Sequence, residues 1–195
     1  MMRFDGSTRL TAGQAHRRPH SPQVFIRSRL RRASLLQPAI KTVARKILAA
    51  AGEPGAELSL DLVGDRRMRR LNREYRGRDL PTDVLAFPMR HSLRVTRYAL
   101  RAFARRSASA RRRVTPDMLG DVAISLHTAA RHAAADRRAV DHELARLLIH
   151  GILHLVGYDH ERGGREARRM RRKERAILQA LEPLPKLVGK VKRDA

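Results

Sequence analysis

The sequence predicts one domain that mixes helices and strands, an α/β fold. Two kinds of apolar pattern support this prediction. Residues 57–63 (ELSLDLV) alternate polar and apolar side chains, as a strand with one buried face does. Residues 35–51 carry apolar side chains at three- and four-residue steps, as an amphipathic helix does. A length of 195 residues with 42% hydrophobic side chains suits a single core.

Turn-forming residues delimit the elements. Pro38 falls in the first turn of the 35–51 helix, where a missing N–H costs little. Asp65 is expected to cap a helix at 66–75, which Gly77 closes. The strands are predicted at 24–28, 57–63, 81–88 and 119–125. The helices are predicted at 35–51, 66–75, 126–135, 138–156 and 165–181.

Basic segments flank and interrupt this domain. The N-terminal segment, residues 1–22, lacks the apolar core of a secretory signal. Its prolines would break an amphipathic transit helix. The last follows two prolines that stop the final helix, Pro183 and Pro185. The predicted organisation is a disordered basic extension at 1–22, a core domain at 23–182 with a basic insertion at 90–113, and a basic tail at 183–195.

The charge of the chain favours a polyanionic partner. Lys and Arg number 43 against 19 Asp and Glu, which gives a formal net charge of +24. Such a charge attracts nucleic acid, with an anionic membrane surface or a genomic preference for Arg codons as alternative explanations. The sequence contains no apolar run near the ~20 residues of a membrane span. It contains no cysteine, so any metal must be held by His, Asp or Glu, and a reducing cytoplasm is a compatible location.

The basic insertion has a helical arginine pattern. Five of its arginines recur at three- and four-residue steps, which would place them on one helix face. These candidate RNA-binding residues are Arg90, Arg94, Arg97, Arg101 and Arg105. Two interpretations stay open, a basic helix that lies on RNA and a solvated insertion.

A histidine cluster is the strongest chemical signal. His150 and His154 are four residues apart, so on a helix both rings point to one side. Gly157 can end that helix in a left-handed conformation and turn His160 back as a third ligand. Three imidazoles leave a fourth position for water, which is typical of catalytic rather than structural zinc. A lone helical histidine is usually a core residue, but the combination makes a metal site the better interpretation.

The residues around the cluster differ from those of a metalloprotease. The H-E-x-x-H pattern places a general-base Glu after the first histidine, but this position is Gly151. Asp159 is a candidate to accept the second ring N–H of a ligand imidazole. Upstream, Glu143 is expected to pair with Arg146 at the helix surface.

Three sequence blocks together resemble the YbeY family of bacterial endoribonucleases. They read LNREYRGRDLPTDVLAFP at 71–88, LGDVAIS at 119–125 and HGILHLVGYDH at 150–160. The resemblance covers roughly two thirds of the chain, from the 57–63 strand to the final helix. It leaves out the extension at 1–22, the insertion at 90–113 and the tail. The histidine block is specific in combination with the other two.

The resemblance implies a fold and a set of site residues. The implied fold has a mixed, roughly four-stranded sheet packed with helices, and the histidines lie on a central helix. One zinc ion per chain would be bound by His150, His154 and His160. Arg76 would matter for activity, since a guanidinium beside a metal can clamp a phosphate, although it could also be an ordinary surface arginine.

The resemblance also implies an activity and partners. The activity would be a single-strand-specific, metal-dependent endoribonuclease of the cytoplasm, acting in ribosomal RNA maturation at the 3′ end of 16S ribosomal RNA and in ribosome quality control. The partners would be ribosomal RNA and the ribosomal subunit, with ribosomal proteins or an assembly GTPase beside them. The nucleophile stays open between a metal-activated water and the RNA 2′-hydroxyl.

Three alternatives remain at this stage. One is a different metallohydrolase, such as a peptidase, which the missing Glu and the positive charge disfavour. Another is a non-catalytic ribosome-assembly factor in which zinc only stabilises the fold. The third concerns the ion, because nickel or another divalent metal suits imidazole ligands as well.

Overall fold

The computed structural model describes residues 22–28, 30, 33–89, 118–159 and 163–191. The predicted extension up to residue 21 and the insertion at 90–113, with its five candidate arginines, lie outside these residues, as does His160. The strands are β1 (Val24–Ser28), β2 (Ala33–Leu35), β3 (Glu57–Val63), β4 (Val84–Pro88), β5 (Met118–Ser125) and β6 (Val188–Val191). The helices are α1 (Gln37–Ala50), α2 (Asp65–Arg76), α3 (Leu126–Ala135), α4 (Val140–Leu155) and α5 (Gly164–Ala180).

The main sheet has four strands in the order β1-β3-β5-β4. The pairs β1–β3 and β3–β5 are parallel, whereas β4–β5 is antiparallel. Strand β5 is buried at all eight positions, because helices cover both faces of the sheet there. The predicted α/β fold with a mixed four-stranded sheet is therefore confirmed.

The two faces of the sheet carry different helices. Apolar side chains of α1, α4 and α5 pack on the face formed by Leu58, Leu60, Val122 and Ile124. Met68 and Leu71 of α2 pack on the opposite face, against Leu85 and Ala123. None of the helices in the described residues is long and apolar enough to cross a membrane. The sheet thus separates α2, which carries Arg76, from α4, which carries the histidines.

A second, two-stranded sheet replaces the start of the predicted tail. Strand β6 pairs antiparallel with β2, and Leu187 before it is fully buried. The Asp141 carboxylate, in the first turn of α4, accepts hydrogen bonds of 2.6 and 2.7 Å from the Leu187 and Val188 amides. The prediction of a tail from residue 183 was wrong for 187–191, because two apolar residues and one distant carboxylate hold this segment in the core.

Two local predictions at helix starts also need correction. The first helix begins at Gln37 rather than at residue 35, since Leu35 belongs to β2, although Pro38 does lie in the first turn. The N-cap of α2 is Gly64, and Asp65 is already helical. The Asp65 carboxylate instead accepts hydrogen bonds from Ser125 and Thr128, which ties α2 to the start of α3. Gly77 closes α2 with a φ of 69°, as predicted.

Candidate metal centre

The two helical histidines face each other on one side of α4. Their Nε2 atoms are 3.1 Å apart, and the ring centroids are 4.6 Å apart at an interplanar angle of 74°. The His150 side chain is 22% exposed, so the pair lies at the surface of the core rather than within it. The predicted convergence of His150 and His154 is therefore present.

A glycine lets α4 approach the sheet directly behind this pair. A Cβ atom at Gly151 would lie 2.7 Å from Val122 Cγ1 and 3.3 Å from Val84 Cγ2, closer than such atoms pack. A glutamate at this position, as in a metalloprotease, would push the helix away from β4 and β5. The absence of a Glu after His150 thus has a packing cause in this fold.

The spacing of the two rings fits a shared metal ion. Two nitrogens bound at ~2.0–2.1 Å with a tetrahedral angle lie about 3.3 Å apart, close to the spacing of the Nε2 atoms. Helix α4 ends at Leu155, and Gly157 has a φ of 96°, so the chain reverses there as predicted. Among the residues that the structure describes, no group of three metal-binding side chains is found, and this set does not include His160. The third ligand stays a prediction.

A carboxylate on the neighbouring helix holds the first histidine. Glu174 of α5 places Oε1 2.6 Å from His150 Nδ1, and its side chain is 23% exposed. Sequence reasoning missed this residue, because it is 24 positions from His150 and belongs to no spacing motif. The only available signal was its chemistry, since Glu174 and Glu166 are the two acids in a helix rich in arginine.

An ion-pair cluster continues from the histidines along α4. Arg146, one turn before His150, donates from Nε and Nη2 to both oxygens of Glu143, at 2.9 and 2.6 Å. The predicted pair exists, but its location at the surface was wrong, since Glu143 is only 1% exposed. The bidentate hydrogen bond to Glu143 raises the pKa of Arg146, and the nearby charges of Asp83 and Glu174 act in the same direction.

Arg76, the residue predicted to bind a phosphate, is the last residue of α2, and its side chain is exposed. The turn that follows it makes two contacts with the helix. Asn72 donates from Nδ2 to the Leu80 carbonyl at 2.8 Å, and Arg69 binds Asp79 with distances of 3.0 and 2.6 Å. The backbone at Arg76 is thus held while its guanidinium remains available to a ligand.

The ends of α2 and α4 adjoin the same end of the sheet. The Tyr75 ring packs edge-on against Phe87, with centroids 4.8 Å apart. Phe87 of β4 lies so close to Gly120 of β5 that a Cβ there would clash with its carbonyl oxygen. Leu155, at the end of α4, contacts Gly120 from the other face. The turn after Arg76 and the turn after His154 therefore emerge at one edge of the molecule.

Three other acidic residues lie near these elements, and one of them is the candidate Asp159. Asp83 accepts hydrogen bonds from the Val84 amide and the Thr82 hydroxyl, so it shapes the turn before β4. Asp121 of β5 is 8% exposed and lies opposite Phe87, next to the end of the β4–β5 ladder. Asp159 lies partly buried just after the α4 turn, and its contact with a ligand histidine stays a prediction.

Comparisons with known proteins identify a family for this chain. The sequence model of the family described as endoribonuclease YbeY matches residues 26–182. An endoribonuclease YbeY of Geobacter metallireducens is 44% identical over 161 residues, which are 82% of this chain and 96% of that protein. One of Anaeromyxobacter sp. (strain Fw109-5) is 48% identical over 141 residues, 72% of this chain. The chain covers 62% of the Anaeromyxobacter protein, less than two thirds of its length.

A solved structure supports the fold. The solution structure of TM1509 from Thermotoga maritima matches with a TM-score of 0.52, covering 80% of this chain and 87% of that one at 23% identity. At this identity the likeness concerns the fold alone. The family match spans most of the chain and includes His150 and His154, and with the sequence identities it shows that the chain belongs to the endoribonuclease YbeY family.

Proposed function

We propose that this protein is a metal-dependent endoribonuclease that cuts single-stranded RNA during ribosomal RNA maturation in the cytoplasm. The observation that carries the proposal is the pair of His150 and His154 Nε2 atoms, 3.1 Å apart on one helix face, in a member of this family. His160 follows the Gly157 turn in sequence and is the proposed third ligand. Zinc is the proposed ion, and when bound it would supply a Lewis acid or an activated water at the phosphodiester.

The role proposed for Arg76 follows from its place and chemistry. Its exposed guanidinium can donate two parallel hydrogen bonds to a phosphate, while the Asn72 hydrogen bond to the Leu80 carbonyl holds the turn beside it. Negative charge grows on the phosphate oxygens as the bond breaks, so a donor there stabilises the transition state more than the bound RNA. The net charge of +24 would draw the RNA in.

The test is cleavage of single-stranded RNA by the purified full-length protein and its variants, with bound metal counted in each. Arg76→Ala should keep its metal and fold but lose about 10²- to 10³-fold in cleavage rate, as removal of one transition-state donor does. Arg66→Ala is the matched control, because it removes an exposed arginine from the other end of α2. His154→Ala should lose both metal and cleavage.

The outcomes separate the proposal from its rivals. If Arg76→Ala and His154→Ala keep the trace activity of the unmodified protein, that activity is a contaminant and a non-catalytic assembly factor becomes the better interpretation. Mass spectrometry of the product ends decides the nucleophile. A 5′-phosphate indicates attack by water, and a 2′,3′-cyclic phosphate indicates attack by the RNA 2′-hydroxyl.

A further inference from the structure

The contact between α4 and α5 determines which ring nitrogen of His150 carries the proton. A carboxylate can only accept hydrogen bonds, so the 2.6 Å contact between Glu174 Oε1 and His150 Nδ1 requires the proton on Nδ1. In a neutral imidazole the other nitrogen, Nε2, then carries a lone pair. That lone pair points at His154 Nε2, at the position where the metal is proposed.

We infer that Glu174 is the positioning residue of the metal centre, which fixes the ring orientation and the tautomer of His150. This inference rests on the proposed metal site and adds a residue that supports it without touching the ion. Carboxylates that accept the second N–H of a ligand histidine orient the ring and raise its basicity. Glu174 occupies that place by geometry, and it comes from a different helix than the histidines.

The surroundings hold Glu174 where the contact needs it. Both side chains of the pair are about four-fifths buried, so water competes little for the hydrogen bond. Met170 and Ile177, one turn to either side on α5, are buried in the main core and anchor this part of the helix. Arg146 lies near enough for its charge to interact with that of Glu174. The carboxylate thus has a well-anchored backbone and a cation close enough to interact with its charge.

The first measurement needs no metal. In protein stripped of metal, long-range ¹H–¹⁵N correlation spectra of ¹⁵N-histidine report which ring nitrogen of neutral His150 carries the proton, with the signals assigned by His150→Gln. The unmodified chain should show the Nδ1–H form. Glu174→Ala should shift the ring toward the Nε2–H form, and Glu174→Gln should keep part of the Nδ1–H form, because an amide oxygen still accepts.

The second measurement is zinc affinity, by competition with a chromophoric chelator. Glu174→Ala should bind zinc about 10- to 100-fold more weakly than the unmodified chain, with Glu174→Gln in between. Glu166→Ala is the matched control, since Glu166 lies on the same helix and pairs at 3.7 Å with Arg169. This control should leave both readouts unchanged. Far-UV circular dichroism checks that each variant is folded.

The results distinguish this inference from the proposed function. If the unmodified chain shows the Nε2–H form of His150, or if Glu174→Ala binds zinc as tightly as Glu166→Ala, the positioning role is wrong. If the unmodified chain binds no zinc but shows the Glu174-dependent Nδ1–H form, the metal-dependent function fails while the positioning of His150 stands.

Discussion

Two arginine–carboxylate pairs with the same geometry support the two candidate parts of the site. Arg146 binds Glu143 one turn before His150, at 2.9 and 2.6 Å, and Arg69 binds Asp79 beside the Arg76 turn, at 3.0 and 2.6 Å. Their burial differs. The Glu143 side chain is 1% exposed, whereas those of Arg69 and Asp79 are 55% and 45% exposed.

This difference shows why hydrogen-bond geometry alone does not give a pair its energy. When an exposed ion pair forms, each charge gives up favourable contacts with water, so the net stabilisation is small. Salt screens the remaining attraction between the charges. A buried carboxylate has already lost its water, so its partner cannot be removed without a large penalty. The histidine side of the site is therefore expected to be rigid because of its buried ion pair, and the turn after Arg76 to depend mainly on the hydrogen bond from the Asn72 side chain to the Leu80 carbonyl.

The largest predicted effect is on the buried pair. Arg146→Ala should lower the free energy of unfolding by about 3 kcal/mol, because it leaves the Glu143 carboxylate buried without its arginine and with His132 at 3.9 Å. The value is at the low end of the range for a broken buried pair, since Arg146 itself is 38% exposed. Urea unfolding at constant metal content measures it.

The matched control for this prediction is Glu143→Gln. It removes the negative charge but keeps an oxygen for Arg146, whose head group reaches solvent and Asp83. The loss should be clearly smaller than for Arg146→Ala. Equal losses in the two variants would mean that the arginine, rather than the buried carboxylate, carries the penalty.

The features that could be predicted from the sequence are those that depend on spacing between nearby residues. The i,i+4 histidines, the Gly157 reversal, the Glu143–Arg146 partners and the strand at β3 all depend on residues a few positions apart, where helix and strand periodicity places side chains reliably. The family resemblance supplied the mixed sheet, whose strand order no local pattern contains.

What the sequence missed depends on contacts between distant segments. Glu174 meets His150 across 24 positions, and Asp141 meets Leu187 across 46. Burial of Glu143 was missed because a charged helical residue next to an arginine is usually at the surface. Asp65 was assigned to a cap since capping is its commonest local use, but Ser125 and Thr128, contributed by a different part of the fold, compete for its carboxylate.

The partly buried carboxylate of Asp65 should contribute an amount of stability between those of the two pairs. Burial alone would raise the pKa of Asp65, but hydrogen bonds from Ser125, Arg131 and Thr128 lower it below its ordinary value of 3.8. A carboxylate with a lowered folded pKa adds stability that is complete above the unfolded pKa and is lost as the pH falls through the folded pKa. Asp65→Asn should therefore lower the free energy of unfolding by about 2 kcal/mol at neutral pH.

Measuring the stability difference at several pH values separates the effect of the Asp65 charge from an effect of the substitution on packing. Urea midpoints of Asp65→Asn and the unmodified chain should converge as the pH falls from about 5 to about 2, where the native carboxyl becomes protonated as well. A difference that stays constant over this range would show that the asparagine amide disturbs packing, and that the charge of Asp65 contributes nothing.

The smallest effect is expected at the exposed pair. Asp79→Asn should leave the urea midpoint within experimental error at high salt and shift it only slightly at low salt, because water solvates both partners when the pair breaks. Hydrogen bonds from Arg69 lower the pKa of Asp79, so its carboxylate is ionised at neutral pH. Asn72 still binds the Leu80 carbonyl, so the Arg76 turn should keep its place and RNA cleavage should not change. A loss of stability as large as that of Arg146→Ala would mean that burial does not separate the two pairs, and that the Arg76 turn depends on this ion pair for its structure.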